Sequence, residues 1–134
     1  MEYLIGVLVG VGASIFTSLV GMDKDRALYP AILIVIAFLY DLFAVLGASN
    51  QALAMESVAA VIFVGLAVAG FKSTLWFTVA GLVGHGIFDL VHPQFIQNPG
   101  VPVWWPMFCL SADVALGVFL AVLLSRNRIR ASAT

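Results

Sequence analysis

The chain has 134 residues, of which 63% are apolar and only 10% charged: six basic side chains and seven acidic ones. A typical globular domain is about 45–50% apolar and about 25% charged. That balance excludes a disordered chain, a nucleic-acid binder and a secreted disulfide scaffold, and it points to an integral membrane protein.

Five apolar runs, each near the roughly 20 residues that a spanning helix needs, follow one another. The first is 3–22, with no charge after Glu2. Asp23, Lys24, Asp25 and Arg26 then make a polar turn. The second, 30–49, opens on Pro30, whose missing N–H costs nothing in a first helical turn, and is interrupted by Asp41. Ser49, Asn50 and Gln51 form the next turn. The third run, 53–71, carries Glu56 and ends at Lys72. The fourth, 74–92, carries His85, Asp89 and His92. Pro93, Pro99, Pro102 and Pro106 then interrupt helical structure. The fifth, 107–125, contains Asp113, and a basic tail, 126–134, closes the chain. The expected fold is therefore all-α, a single helical bundle over residues 1–134 with five transmembrane helices. Barrel strands are excluded, because they alternate polar and apolar residues over about 10 positions. The first run also lacks the basic start of a secretory signal peptide.

The positive-inside rule fixes an expected orientation. With five spans, a cytoplasmic tail of Arg126, Arg128 and Arg130 puts the N-terminus outside. Lys24, Arg26 and Lys72 then also fall inside, and the outer loops carry no basic residue. The expected location is a bacterial inner membrane, with the lipid bilayer as partner. Gly6, Gly10, Ser14 and Ser18 form a small-residue stripe on the first span. Such stripes let helix backbones approach, here either on another span, the favoured use, or on a second copy in a homo-oligomer.

Ionisable residues inside a membrane are costly and mark functional sites by default. At about 1.5 Å per residue, Asp41, Glu56, His85, Asp89, His92 and Asp113 all fall in the outer half of the membrane. His85, Asp89 and His92 are spaced i, i+4, i+7 and share one helix stripe. Asp41, Glu56 and Asp113 sit beside small residues, where helices pack. One outward-facing pocket built by spans two to five is the expected result. No Lys or Arg accompanies these acids, so protons or a cation must balance them. Histidine with aspartate suits zinc, copper, iron or manganese. The candidate metal ligands are His85, Asp89, His92 and Asp113. Asp41 or Glu56 is the candidate general base or proton shuttle on metal-bound water. The alternative reading of the same residues is hydrogen-bonded glue between helices. Cys109 is the single cysteine, so no intrachain disulfide forms; as a buried filler or a soft ligand it shares a stripe with Asp113. The proline-rich segment 93–106 suits an interfacial belt through Trp104 and Trp105, or a lid over the pocket.

His85-Gly-Ile-Phe-Asp89-Leu-Val-His92, followed by Asn98-Pro-Gly-Val-Pro-Val-Trp-Trp-Pro-Met-Phe-Cys109 and Asp113, resembles a family of small bacterial integral membrane proteins of unknown function. The resemblance covers the last third of the chain and implies no activity. A looser similarity links the chain to membrane hydrolases that hold zinc with His and Asp, the alkaline ceramidase and progestin-receptor superfamily. Those have seven spans and three zinc-binding histidines; this chain has two histidines. Three functions are compatible with these features: a metal-dependent membrane enzyme acting on a lipid-like or small apolar substrate, a proton- or cation-coupled transporter, and a structural subunit of a membrane complex.

Overall fold

A computed structural model describes residues 1–133; Thr134, the last residue of the basic tail, lies outside the described residues. Five α-helices fall on the five apolar runs: α1 (Glu2–Val20), α2 (Leu28–Leu46), α3 (Asn50–Lys72), α4 (Trp76–Phe95) and α5 (Trp105–Ser125). A 3₁₀ turn, Met22–Lys24, joins α1 to α2. Local chemistry sets the ends. Gly21 takes a left-handed conformation (φ 82°) and its N–H closes on Ser18 O, ending α1. Ser49 Oγ accepts from Ala52 N at 3.1 Å and starts α3. Pro30 occupies the first turn of α2, where the helix has no use for its N–H.

Four helices, α1, α2, α3 and α5, are long and apolar enough to cross a membrane. α4 is equally long but is not apolar enough to join them, because its buried face carries Thr78, His85, Asp89 and His92. It also extends past the point where the prolines were expected to stop it. Pro93 lies inside its last turn, and the helix closes only at Ile96, whose N–H reaches His92 O at 2.9 Å. A proline near a helix end costs less than one in the middle, since few downstream hydrogen bonds depend on it.

The helices pack in the order α2, α3, α4, α5, α1, with α2 also touching α4. α1 is therefore peripheral and rests on α5. Its small-residue stripe makes this contact: Gly6, Gly10 and Ser14 are buried. A Cβ on Gly6 would overlap Ser111 Oγ and Phe108 O. One on Gly10 would lie 2.7 Å from Ala112 O. The stripe is thus used within the chain, and Ser18 at its end is only half-buried. The rest of α1 exposes Leu4, Leu8, Phe16 and Leu19. α4 and α5 approach in the same way, through Gly86 against Val114 and Gly117 against Val83.

The two ends of the bundle differ. The basic end is filled by Leu33, Leu75, Leu82, Leu120, Leu124 and Ile129. The tail folds back over it: Ala131 O accepts from Leu75 N at 2.9 Å, and Ala133 N donates to Ser73 O at 2.8 Å. Arg26 holds this fold by donating to Phe71 O and Ala131 O, each at 2.8 Å. It satisfies carbonyls left open at the end of α3 and in the tail. The opposite end, where α4 meets the proline-rich loop, contains the polar residues.

The α1–α5 contact makes a direct prediction. Gly10→Leu should destabilise the protein by about 1–3 kcal/mol, because the backbone of α5 cannot retreat from an added side chain. Gly12→Leu should leave stability unchanged, since nothing lies within 4 Å of its Cβ position. Thermal melting in detergent, followed by circular dichroism, checks both; equal effects would refute the packing.

Candidate metal centre

One face of α4 supplies the frame. His85, Asp89 and His92 lie on the same buried stripe as Thr78, Gly81 and Leu82. α5 adds Asp113 from a face made of Cys109, Ala112, Leu116 and Gly117. α2 contributes Tyr40 and α3 contributes Glu56. Each of these six polar side chains is no more than 2% exposed as a residue, so water does not solvate them. They must be satisfied by one another or by a ligand.

They satisfy one another in two groups. In the first, His85 Nδ1 lies 2.7 Å from Asp113 Oδ2 and 3.5 Å from Asp89 Oδ2. Tyr40 Oη donates to the other oxygen, Asp89 Oδ1, at 2.7 Å. In the second, His92 Nε2 lies 2.6 Å from Glu56 Oε1. Asn98 Nδ2 donates to the same oxygen and to Tyr40 O, both at 3.0 Å. The Tyr40 ring separates and joins the groups: it stacks on His92 with centroids 4.0 Å apart. Phe63 and Phe88 close the apolar wall beside His85, at centroid distances of 4.7 and 5.6 Å.

The first group could hold a metal ion. One ligand atom each from His85, Asp89 and Asp113 lies within 4.8 Å of the others. Ligands at about 2.1 Å in a tetrahedral site stand about 3.4 Å apart. The His85–Asp89 distance of 3.5 Å already matches that edge. The His85–Asp113 hydrogen bond would have to open by about 0.7 Å to reach the same tetrahedral edge. Asp89 Oδ2 is buried and has no hydrogen-bond partner, although its sister oxygen is held by Tyr40. A fixed carboxylate with one oxygen free is the arrangement that outer partners impose on a metal ligand. Charge points the same way. Even a protonated His85 leaves one of its two facing carboxylates uncompensated.

The sequence-predicted residues are distributed unevenly over this geometry. His85, Asp89 and Asp113 meet. His92 does not join them; one turn farther along α4 it turns to Glu56. Asp41 lies outside both groups, half-buried, with Ser57 Oγ donating to its Oδ2 at 2.8 Å. The inward stripe of α2 runs through Leu33, Ile36, Ala37, Tyr40 and Ala44, and Asp41 is turned about 100° from Tyr40. Cys109 is buried and free, and it is not part of the metal-capable group. The sequence reading did not assign Tyr40 or Asn98 to the site. A tyrosine in an apolar run requires a hydroxyl partner, and that was the available signal for Tyr40. Asn98 forms a turn, accepting from Gly100 N at 3.2 Å, and its amide also reaches the site.

The proline-rich loop is therefore attached to the site. Gly100 rests against Phe43 O and Gly47 at the end of α2, a contact without room for a Cβ. Trp105 packs edge-on against Phe43 with centroids 4.9 Å apart.

No family model, no curated protein and no solved structure matches the chain. The geometry of the two groups thus carries the functional reading. Its most direct structural consequence concerns Tyr40. Tyr40→Phe removes the only donor to Asp89 Oδ1 among the described residues and should cost about 1–3 kcal/mol of stability, the penalty for an unsatisfied buried acceptor. Chemical or thermal unfolding checks this, and an unchanged midpoint would show that the bond contributes nothing.

Proposed function

We propose that the chain is an integral membrane protein of five spans whose outward-facing site binds a divalent metal ion through His85, Asp89 and Asp113. The observation that carries this reading is the unpartnered, buried Asp89 Oδ2 beside a histidine and a second aspartate. α4 counts as the fifth span in this reading. Its polar residues are buried against its neighbours, so its lipid-facing surface is apolar. The basic end carries Lys24, Lys72 and Arg126 and belongs to the cytoplasm by the positive-inside rule, with the N-terminus outside. A bacterial inner membrane, and kinship with the small bacterial membrane family noted above, complete the proposal.

The chemistry proposed is metal-dependent catalysis on a lipid-like or small apolar substrate. A metal in this position would supply Lewis acidity and an activated water. The proton acceptor proposed is Glu56, which is hydrogen-bonded to His92, or Asp41. A transport role needs polar groups along the whole path. Between the site and the cytoplasm the leucine-rich basic end carries the hydroxyls of Tyr29 and Thr78 but no carboxylate or imidazole, which favours the enzyme reading.

Titration of purified, metal-stripped protein with zinc or manganese should show about one ion bound per chain. His85→Ala or Asp113→Asn should weaken binding by more than about 100-fold, beyond the 10–100-fold typical of outer partners, and His92→Ala by less than about tenfold. The absence of saturable binding, or equal effects of His85→Ala and His92→Ala, would overturn the assignment.

Topology has its own test. A cysteine at Val103, which is 98% exposed, should react with a membrane-impermeant maleimide in intact cells. One at Arg128 should react only after permeabilisation, and buried Cys109 should give no background. The reverse pattern would invert the orientation.

A further inference from the structure

The second polar group has features that the metal reading does not use. His92 lines a cleft of about 290 Å³ between the end of α4 and the proline-rich loop. Ile96, Val101, Pro102 and Pro106 make most of its wall apolar, and Gln97 and Asn98 add amides. The volume sits at the small end of ligand sites, enough for a fragment of about ten non-hydrogen atoms.

Glu56 and His92 form an oriented pair behind this cleft. Glu56 Oε1 takes hydrogen bonds from both His92 Nε2 and Asn98 Nδ2, two side chains that border the cleft. The carboxylate fixes the ring: with the proton on Nε2, the lone pair is on Nδ1. Nδ1 takes no partner among the described residues. Glu56 Oε2 is likewise buried without a partner, in a residue only 1% exposed. A carboxylate holding one histidine nitrogen while the other stays free is the arrangement that presents a hydrogen-bond acceptor to a bound hydroxyl.

We infer that this cleft is a binding site for a hydroxyl-bearing molecule with an apolar body, its hydroxyl donating to His92 Nδ1. An apolar wall with one buried acceptor selects such a molecule. A hydrocarbon leaves the acceptor unpaired, and a strongly charged ligand loses its hydration to a wall that cannot replace it. Asn98 is a positioning residue: it bonds Glu56 and the backbone of α2, so it keeps the loop that forms the far wall in place. The site lies one helical turn from Asp89, on the side away from His85. It goes beyond the metal assignment, because occupancy of the cleft needs no metal.

The chain contains only two histidines, so ring-nitrogen NMR of the full-length protein with labelled histidine separates the two sites. The probes are 1-octanol and octane, which share an apolar body and differ in the hydroxyl. Octanol should shift the His92 Nδ1 resonance saturably and leave His85 in place, while octane should not shift it. Zinc should perturb His85 first, so failure of the metal assignment and failure of the cleft assignment read out on different residues. Glu56→Gln should weaken octanol binding by about threefold to tenfold, the range for one hydrogen bond. Val101→Trp, which fills the cleft and leaves Glu56 and His92 unchanged in sequence, should abolish the shift. An unmoved His92, an equal response to octane, or a Val101→Trp response like that of the parent would overturn the inference.

Discussion

Between Arg26 and Lys72, and again between Lys72 and Arg126, the chain contains no lysine or arginine. The four acids in those stretches have no permanent cation to pair with, and three of them, Glu56, Asp89 and Asp113, are fully buried. Every polar arrangement at that end of the bundle follows from this constraint. Each buried acid takes a donor that is neutral or only conditionally charged: Asp113 has His85, Asp89 has Tyr40, and Glu56 has His92 and Asn98. The donors come from α2, α4 and the loop and the acids from α3, α4 and α5, so the network ties these five segments together. Where the donors run out among the described residues, at Asp89 Oδ2, Glu56 Oε2 and Asp41 Oδ1, the bundle retains capacity for a ligand.

The remainder of the fold supports that level. Small residues bring α4 and α5 close enough for His85 to reach Asp113. At the basic end, leucine packing and the Arg26 clasp over the returning tail replace polar pairing. α1 adds no polar group to the site and is attached through its glycines to the outer side of α5. The division of labour is physical. Apolar burial stabilises one end, while the other gives up some of that burial for a polar cluster whose members are costly unless paired.

The helices were legible in the sequence because five long apolar runs are separated by charged or proline-rich turns, and period and length agree. The His85–Asp89–His92 stripe was legible because helical spacing places it on one face. The partition of that stripe was not. Spacing along one helix cannot tell whether the last member faces the same neighbour as the first, and here Glu56 on α3 takes His92 away. Asp41 illustrates a second limit. Its carboxylate drew attention, but a rotation of one residue gives the inward position to Tyr40, a contact that depends on the helix's rotational setting. In the sequence the tail is marked only by its basic residues. Its return across α3 and α4 depends on backbone pairing and on a single arginine, neither of which has a compositional signature.

In the proposed site His85, Asp89 and Asp113 share one metal ion. X-ray absorption at the edge of bound zinc tests it most directly, because it reads the ligands rather than the affinity. The expected spectrum has a shell at about 2.0–2.2 Å with the multiple scattering of a single imidazole and with carboxylate oxygens, and the imidazole signal is lost in His85→Ala but not in His92→Ala. A shell with two imidazoles, a shell of oxygen alone, or an imidazole signal lost only with His92 would contradict it.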